Sequence, residues 1–210
     1  MTVFDLVFIC VFLGSVVSLI ATLINAFRGR RKAAQKTAKV LSVVLGVYLA
    51  ITALVAIISP QKVLTRGQSR CFDEMCFTVS DVTQCQTVGT RSHNTSTAHG
   101  SFYLVTIDVS CRGHGRAQSE GGVGASLVDT TGHTYEASVI GQRDYDAAHV
   151  SNLPLTARVT PGDTVPCVLV FDVPSDAKDV SLHVSHSGPG LFIIGDDESP
   201  LHKPTIIRLN

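Results

Sequence analysis

Five cysteines follow the apolar N-terminal part of the chain, and their chemistry depends on the compartment they meet. Outside the cytoplasm, thiols tend to be oxidised to disulfides. Cys71 and Cys76 are close enough in sequence to close a small loop. Cys111 ends one predicted strand and Cys167 lies near the start of another, so they can form a second bridge if those strands are antiparallel neighbours. The alternative is that Cys111 and Cys167 are buried small apolar residues. Cys85 is left over in both cases.

Metal-binding patterns are weak in this sequence. His183 and His186 have the spacing of a metal-binding pair on a helix, but on a strand their side chains point to opposite faces. Asp196-Asp197-Glu198 can contribute to a calcium site. An acidic surface turn explains these three residues better, because no regular ligand loop surrounds them.

Catalytic patterns are weaker still, since the sequence contains no G-x-S-x-G, no H-E-x-x-H and no phosphate-binding Gly-x4-Gly-Lys. Asp144 and Asp146 precede His149 in a polar segment, where solvation explains them better than an acid–base cluster. Asn94-Thr95-Ser96 fits the glycosylation triplet, which matters only in a eukaryotic secretory pathway. The sequence therefore predicts a non-enzymatic protein with no catalytic residue, no metal and no cofactor.

Two long uncharged runs precede the cysteines and decide which compartment they reach. Residues 6–27 and 40–58 contain 22 and 19 residues without a charge. A bilayer core about 30 Å thick needs about 20 apolar residues, whereas buried helices of soluble proteins usually keep a polar face. A cleaved signal peptide is disfavoured, because no Lys or Arg precedes the first run and the run is too long. The sequence predicts two membrane-spanning helices that lack the charged residues of an ion pathway.

The segment 28–39 between the two runs holds six cations and no anion. They are Arg28, Arg30, Arg31, Lys32, Lys36 and Lys39. Short loops rich in Lys and Arg stay cytoplasmic, so these six residues are predicted to determine the topology. The connector is then inside, and the N-terminus and everything after Pro60 are outside. A nucleic-acid-binding patch is the alternative for a basic run, but a short turn between two spans favours the topology signal.

Small residues on both spans predict close helix packing. Ser42, Gly46 and Ala50 recur every fourth residue in the second run, and Gly14, Ser18 and Ala21 lie near one face of the first. Such spacing lets helix backbones approach closely. The contact is predicted either between the two helices or with a second copy of the chain.

The rest of the chain has a different composition. Residues 60–70 begin with proline and are predicted to form a polar linker, and residues 71–210 are enough for one domain with its own core. Because residues 1–59 hold six cations and one anion, eleven of the 17 cations and sixteen of the 17 anions fall in residues 60–210. This mildly acidic part argues against a nucleic acid as partner.

Alternation of apolar and polar residues predicts strands throughout the domain. The clearest is 101–111, in which Tyr103, Val105, Ile107 and Val109 share one face. The other predicted strands are 76–83, 124–128, 133–140, 164–173, 180–185, 191–194 and 205–209. The predicted loops are 86–100, 112–122 and 141–154. No stretch shows helical periodicity, so the pattern predicts an all-β sandwich.

Several short motifs in this domain resemble a known family. They are Gly100-Ser-Phe-Tyr-Leu-Val-Thr-Ile-Asp-Val109, Leu127-Val-Asp-Thr-Thr-Gly-His-Thr-Tyr135, Thr160-Pro-Gly-Asp163, Leu169-Val-Phe-Asp-Val-Pro174 and Val180-Ser-Leu-His-Val184. Over residues 76–209 the chain resembles a large bacterial family of extracytoplasmic immunoglobulin-like domains of unknown function, some of whose members are labelled telomeric-repeat-binding factors. The resemblance implies an immunoglobulin-like β-sandwich and supplies no catalytic residues. Two helices stand here where the lipoprotein members of the family have a lipid anchor.

The predicted fold class is an N-terminal transmembrane α-hairpin, residues 1–59, followed by an all-β immunoglobulin-like sandwich, residues 71–210. The predicted location is a bacterial inner membrane, with two spans and both termini outside. The expected partners are the lipid bilayer and another envelope protein, for interaction or envelope support. The alternative is a ligand-sensing or small-molecule-binding module whose contact surface is formed by the three predicted loops.

Overall fold

A computed structural model describes residues 3–90, 94–187, 193–195, 199 and 201–209. The chain divides into two compact units, Met1–Gln61 with Gly188–Pro204 and Lys62–Ser187 with Thr205–Asn210. The first unit contains two long helices, and the second is a β-sandwich with one short helix among the described residues. The predicted order of two apolar helices followed by a mostly β-sheet sandwich is confirmed.

The two N-terminal helices extend beyond the apolar runs that define them. Helix α1 spans Val3–Phe27 and helix α2 spans Arg31–Ile58, and both are long and apolar enough to cross a membrane. Helix α2 begins well before the predicted span because the basic segment is rich in Ala, Lys and Gln, which are good helix formers. The predicted loop 28–39 is therefore wrong over most of its length. Residues 28–30 reverse the chain, and Gly29 there adopts a φ of 74°, which glycine tolerates without strain.

The two helices pack through a different face of α2 from the one predicted. The hydroxyl oxygens of Thr22 and Thr37 lie 2.8 Å apart across the helix pair. The cleft between the helices is lined by residues that include Gly14 and Ser18 of α1 and Leu41 and Val44 of α2. The small residues predicted on α2 are all exposed: Ser42, Gly46 and Ala50. Their alternative role, contact with a second copy, stays a prediction.

The second unit consists of two facing β-sheets. The strands are β1 Val63–Leu64, β2 Ser69–Phe72, β3 Met75–Gly89, β4 Thr95–Cys111, β5 Val123–Val128, β6 Thr134–Glu136, β7 Thr164–Val173, β8 Ser181–His186 and β9 Ile206–Arg208. One sheet has the order β1-β9-β8-β5-β6, and the other has the order β2-β3-β4-β7. The pairs are antiparallel except β1 with β9, which is parallel.

The core lies between the sheets and uses the predicted apolar faces. On β4, alternate residues Val105, Ile107 and Val109 are fully buried, and β7 contributes Phe171 to the same cluster. Leu182 of β8 packs into it from the facing sheet. This alternation follows from the two-residue repeat of a strand, which sends every second side chain to the same face.

The predicted linker 60–70 takes part in the sandwich. β1 pairs with β9, and β2 begins at Ser69 and pairs with β3. Leu64 packs against the core. The linker prediction is therefore wrong for these residues, because two apolar residues in a polar segment are enough to add a short edge strand.

A helix that the sequence pattern did not predict follows β6. Helix α3 spans Val139–Ala148 and is capped at its start by Ser138, whose hydroxyl accepts a hydrogen bond from the Gly141 backbone at 3.2 Å. The predicted strand 133–140 is thus a strand only at its beginning. The predicted loop 86–100 is also largely strand, since β3 continues to Gly89 and β4 starts at Thr95. Two residues of the predicted strand 191–194 lie outside the described residues, and the other two, residues 193 and 194, form no strand.

Candidate functional site

A groove of about 350 Å³ lies beside α3, where the segment after the helix passes β7. Its lining residues come from the predicted contact loop 141–154, from Leu155 directly after that loop and from the middle of β7. They are Gln142, Asp146, His149, Val150, Asn152, Leu153, Pro154, Leu155, Val168 and Leu169. The size is at the small end of the range for ligand pockets, about 300–1,000 Å³. We regard this groove as the candidate functional site.

Two side-chain amides fix one wall of the groove by pairing with the edge of β7. The Asn152 amide accepts from the Val168 N–H at 2.8 Å and donates to the Val168 carbonyl at 3.0 Å. The Gln142 amide accepts from the Val170 N–H at 2.9 Å and donates to the Val168 carbonyl at 2.9 Å. These amides therefore replace a neighbouring strand at an edge that would otherwise expose unpaired backbone groups.

Asp146 and His149 are the ionisable side chains of the groove. Both Gln142 and Asn152 donate to Oδ1 of Asp146, at 3.0 and 2.7 Å. The His149 ring stacks on Tyr145 with centroids 4.1 Å apart, and its Nδ1 lies 3.0 Å from the Tyr145 carbonyl oxygen. Since a carbonyl only accepts, Nδ1 is the donor in this contact. Burial and the Asp146 charge raise the pKa of Tyr145.

Asp144 does not share the groove with Asp146. Its side chain is 3% exposed and accepts hydrogen bonds from Ser96 of β4 and from Nε of Arg143, the latter at 2.9 Å. The hydrogen bond from Ser96, followed by the contact with Arg143, lowers the pKa of Asp144 despite its burial. Asp144 therefore attaches α3 to the β3–β4 hairpin, and the two carboxylates form no acid–base pair.

Gly141 allows α3 to lie close to the sheet. A Cβ at this position would be 3.0 Å from a ring carbon of Phe102 and 3.1 Å from a methyl carbon of Val170. The helix thus contacts the sheet through a glycine and the buried Asp144. This close approach sets the position of Gln142 and Asp146 relative to β7.

The cysteines form one bridge among the described residues. Cys71 and Cys76 are directly opposed on β2 and β3 and are joined by a disulfide. The predicted Cys111–Cys167 bridge is wrong. Cys167 is opposite Ile107, so Cys111 lies four residues further along, about 14 Å away at about 3.4 Å per residue. A disulfide needs a Cα separation of about 4.4–6.8 Å.

The four remaining cysteines are free thiols: Cys10, Cys85, Cys111 and Cys167. Burial, with a smaller contribution from Asp146, raises the pKa of Cys167 to about 12. Burial also raises the pKa of Cys85, which packs beside Val88 and Phe102. Because the thiolate is the reactive form of cysteine, Cys167 is expected to be chemically inert at neutral pH.

Replacing Cys71 and Cys76 together with serine is expected to lower the free energy of unfolding of the sandwich by about 2 kcal/mol. The disulfide closes a loop of only a few residues, so it removes little entropy from the unfolded chain. The measurement is chemical denaturation with and without a reductant. The reductant should destabilise the wild type and leave the double variant unchanged; a wild type insensitive to complete reduction would contradict the assignment.

Asp129 organises the turn between β5 and β6. Its Oδ1 accepts from the Thr131 N–H at 2.8 Å, the Thr131 hydroxyl at 2.6 Å and the His133 N–H at 3.0 Å. Its Oδ2 accepts from the Tyr135 hydroxyl at 2.9 Å. The hydrogen bond from Thr131 is the largest influence, and with the others it lowers the pKa of Asp129 far below its usual range, although burial opposes the shift.

The sandwich is expected to lose stability in acid partly through Asp129. Because its folded pKa is lowered, its stabilisation is complete above the ordinary aspartate pKa of about 3.9. That stabilisation is lost as the pH falls from there towards the folded value. Asp129→Asn should therefore melt at a lower temperature at neutral pH and show a weaker dependence on acid, as followed by thermal unfolding from about pH 2 to 7. Asp163→Asn, at an exposed turn, is the matched control. An acid profile of Asp129→Asn parallel to that of the wild type would refute this role.

The histidine pair predicted to be a weak metal candidate is not brought together. His183 and His186 fall on opposite faces of β8, and Nε2 of His186 lies 2.9 Å from Glu120. In the described part of the chain, no group of three or more His, Cys, Asp or Glu side chains converges as a metal site would require. The acidic triplet Asp196-Asp197-Glu198 lies outside the described residues.

The six predicted topology residues cluster at the closed end of the helical hairpin. Arg28 and Arg30 lie in the turn, and the other four lie at the start of α2: Arg31, Lys32, Lys36 and Lys39. They are all exposed. No ion pair links any of them to another described residue.

Sequence reasoning missed the amide pair and the hydrogen bonds that Asp129 accepts within its turn. Nothing in the local sequence marks Gln142 or Asn152, since their role depends on the position of β7 far along the chain. Asp129 carried a usable signal, because an aspartate that begins a turn often accepts hydrogen bonds from the backbone two residues later.

The comparisons with known proteins concern the sandwich. The sequence model of a family described as "Domain of unknown function (DUF4352)" matches residues 65–191. Among solved structures, a conserved hypothetical protein from Bacillus anthracis is 17% identical with a TM-score of 0.47, over 58% of this chain and 88% of that one. The yjhA protein from Bacillus subtilis is 14% identical with a TM-score of 0.43, over 70% and 99%. An uncharacterized β-sandwich protein from Clostridium difficile 630 is 12% identical with a TM-score of 0.43, over 72% and 96%. No curated protein sequence matches the chain.

Proposed function

This chain belongs to the family described as domain of unknown function DUF4352, and we propose that it is a non-enzymatic bacterial membrane protein. Its two helices anchor an immunoglobulin-like sandwich on the outer face of the inner membrane. The sandwich then serves protein interaction or envelope support. The bilayer and another envelope protein are its partners, and both termini lie outside.

The observation that carries this proposal is the arrangement of charge on the helical hairpin. Both helices are long and apolar enough to cross a bilayer, and the six cations of residues 28–39 gather at the end where the chain turns. Cationic segments beside a membrane span are retained in the cytoplasm. The opposite ends of both helices, and hence the sandwich, are then on the other side.

The Cys71–Cys76 disulfide supports an oxidising location for the sandwich. Such bridges persist in the bacterial periplasm and at the cell surface and are rare in the cytoplasm. The bridge joins two directly opposed residues of a hairpin. It is therefore compatible with the local fold and needs no rearrangement to form.

Membrane extraction and crosslinking test the proposal in two steps. Alkaline carbonate should leave the full chain in the membrane pellet, and release into the supernatant would refute anchorage. Crosslinking in intact cells through the exposed face of the sandwich, followed by purification of the full chain, should then give a reproducible protein adduct. The control is a chain with Phe77→Asp, in which an unpaired charge in the core unfolds the sandwich. An adduct pattern identical in this variant would argue against a specific interaction surface.

The groove beside α3 favours a second candidate function, a small-molecule-binding module. One of the three loops predicted as a contact surface supplies most of its lining. It combines apolar walls with a few fixed polar groups, as ligand sites usually do. This candidate is compatible with membrane anchorage and differs from the first in what the sandwich contacts.

A further inference from the structure

We propose that the groove beside α3 binds a primary ammonium group carried on an apolar stem. This proposal rests on the second candidate function, the ligand-binding module, and gives the chemical class of its ligand. Three features of the groove support the proposal: the hydrogen bonds that its side chains already form, the negative charge of Asp146 and the apolar side chains of its walls.

The hydrogen bonds within the groove engage the side-chain amide N–H groups and leave one oxygen of the Asp146 carboxylate as an acceptor. Both N–H groups of Gln142 are engaged, by Asp146 Oδ1 and by the Val168 carbonyl. Both N–H groups of Asn152 are engaged by the same two acceptors. The remaining groups are Oδ2 of Asp146 and Nε2 of His149, whose Nδ1 is held by the Tyr145 carbonyl. A ligand that pairs with Oδ2 of Asp146, and with Nε2 of His149 when that ring is neutral, must supply N–H or O–H donors, and an ammonium group has three.

The electrostatics of the groove favour a cation over a neutral donor. Asp146 forms no ion pair with any described residue. The nearby Arg143 is turned to Asp144, with its Nη2 2.9 Å from Oδ1 of that carboxylate. Asp146 and His149 also lie at the C-terminal end of α3, which has no basic residue in its last turn. The partial negative charge at the end of a helix adds to the attraction for a cation.

The walls of the groove suit an apolar stem. Val150 and Leu153 are 90% and 40% exposed, and Leu155 and Leu169 complete the apolar lining. A stem of a few methylene groups that covers these side chains gains about 0.8 kcal/mol for each methylene removed from water. The volume of about 350 Å³ limits the ligand to a group of this size.

A lysine side chain of a partner protein and a free alkylamine share this chemistry, and the test separates them. The full chain is purified in detergent, and binding is measured by calorimetry and by the NMR shifts of the His149 ring. One arm uses hexylammonium with hexanol as the uncharged counterpart. The other arm uses a capped Gly-Lys-Gly peptide with the norleucine peptide as its counterpart. We expect at least one ammonium probe to bind at about millimolar concentration, and its uncharged counterpart to bind at least about tenfold more weakly.

Asp146→Asn is the decisive variant, because it removes the charge and keeps an oxygen for Gln142 and Asn152. It should weaken ammonium binding about tenfold or more, whereas Asp163→Asn, outside the groove, should leave binding unchanged. If Asp146→Asn fails to fold, Leu153→Ala tests the stem instead and should reduce the gain in affinity from ethylammonium to hexylammonium. Hexylammonium binding alone assigns a small-molecule amine, and peptide binding alone assigns a partner lysine.

Three results would overturn the proposal. They are no binding of either ammonium probe, equal binding of the uncharged counterparts, and ammonium binding that Asp146→Asn leaves unchanged. None of them bears on membrane anchorage, which carbonate extraction tests separately. Failure of the ligand class and failure of the first proposed function are therefore distinguishable.

Discussion

Replacing Phe77 with alanine is expected to lower the free energy of unfolding of the sandwich by about 4 kcal/mol. The side chain is fully buried in the core and lies 6.0 Å from the ring of Phe72, centroid to centroid. Truncation removes its transfer free energy and leaves a cavity that two hydrogen-bonded sheets cannot easily close. Since small domains are stable by only about 5–15 kcal/mol, the loss is a large fraction of the total.

Pulse proteolysis of the full chain in urea measures this effect without an intrinsic fluorescent probe, which suits a chain with no tryptophan. Val150→Ala is the matched control, because it also truncates an apolar residue but at a position 90% exposed. The urea concentration at the midpoint of unfolding should fall sharply for Phe77→Ala and hardly change for Val150→Ala. Equal midpoints for the two variants would mean that Phe77 is not in the core.

Replacing the six cations of residues 28–39 with glutamine is expected to randomise the orientation of the chain. The N-terminal side of the first span holds no Lys or Arg. Without these six cations, the first span therefore has no basic flank on either side. The bias of basic residues sets orientation, so the fraction of sandwich outside the membrane should fall from nearly all to about half. Digestion of the sandwich by external protease in spheroplasts measures this fraction.

A charge-preserving variant controls for the effect of the substitutions on helix formation. Changing Arg28, Arg30 and Arg31 to lysine keeps all six charges and should leave the sandwich fully accessible to protease. Full accessibility in the glutamine variant as well would show that these cations do not determine the topology.

The strands with one apolar face could be predicted from sequence because their side chains alternate. Residues 101–111 and 164–173 contain such alternation; they form the second part of β4 and the whole of β7. Residues 86–89 and 95–100 were missed because polar side chains on both faces leave no alternation to detect. Their strand character depends on pairing with each other in the long β3–β4 hairpin.

Helix α3 escaped prediction because of the residues that it buries. Helical periodicity is recognised from apolar residues spaced three and four apart, and α3 buries Gly141 and Asp144 instead. The contact is made by the absence of a side chain at one position and by the hydrogen bond that Ser96 of β4 donates to Asp144 at the other. Both depend on the neighbouring sheet and have no counterpart in a local pattern.

Neither the candidate groove nor the cysteine pairing could be predicted from the sequence, and the reason is the same for both. Each depends on the register between segments that are distant in the chain. Asn152 pairs with Val168, and Cys167 lies opposite Ile107 rather than Cys111. A shift of a few residues along β7 would change both results, and apolar alternation alone does not distinguish shifts by an even number of residues.

The central claim is that the hairpin carries the sandwich to the outer face of a membrane, and reporter fusions test it most directly. Alkaline phosphatase fused after Gln68, beyond both helices, should be active, and green fluorescent protein at the same position should be dark. The same two reporters fused after Lys36, within the basic segment, should give the opposite pair of results. An inactive phosphatase and a fluorescent protein at Gln68 would contradict the proposed topology.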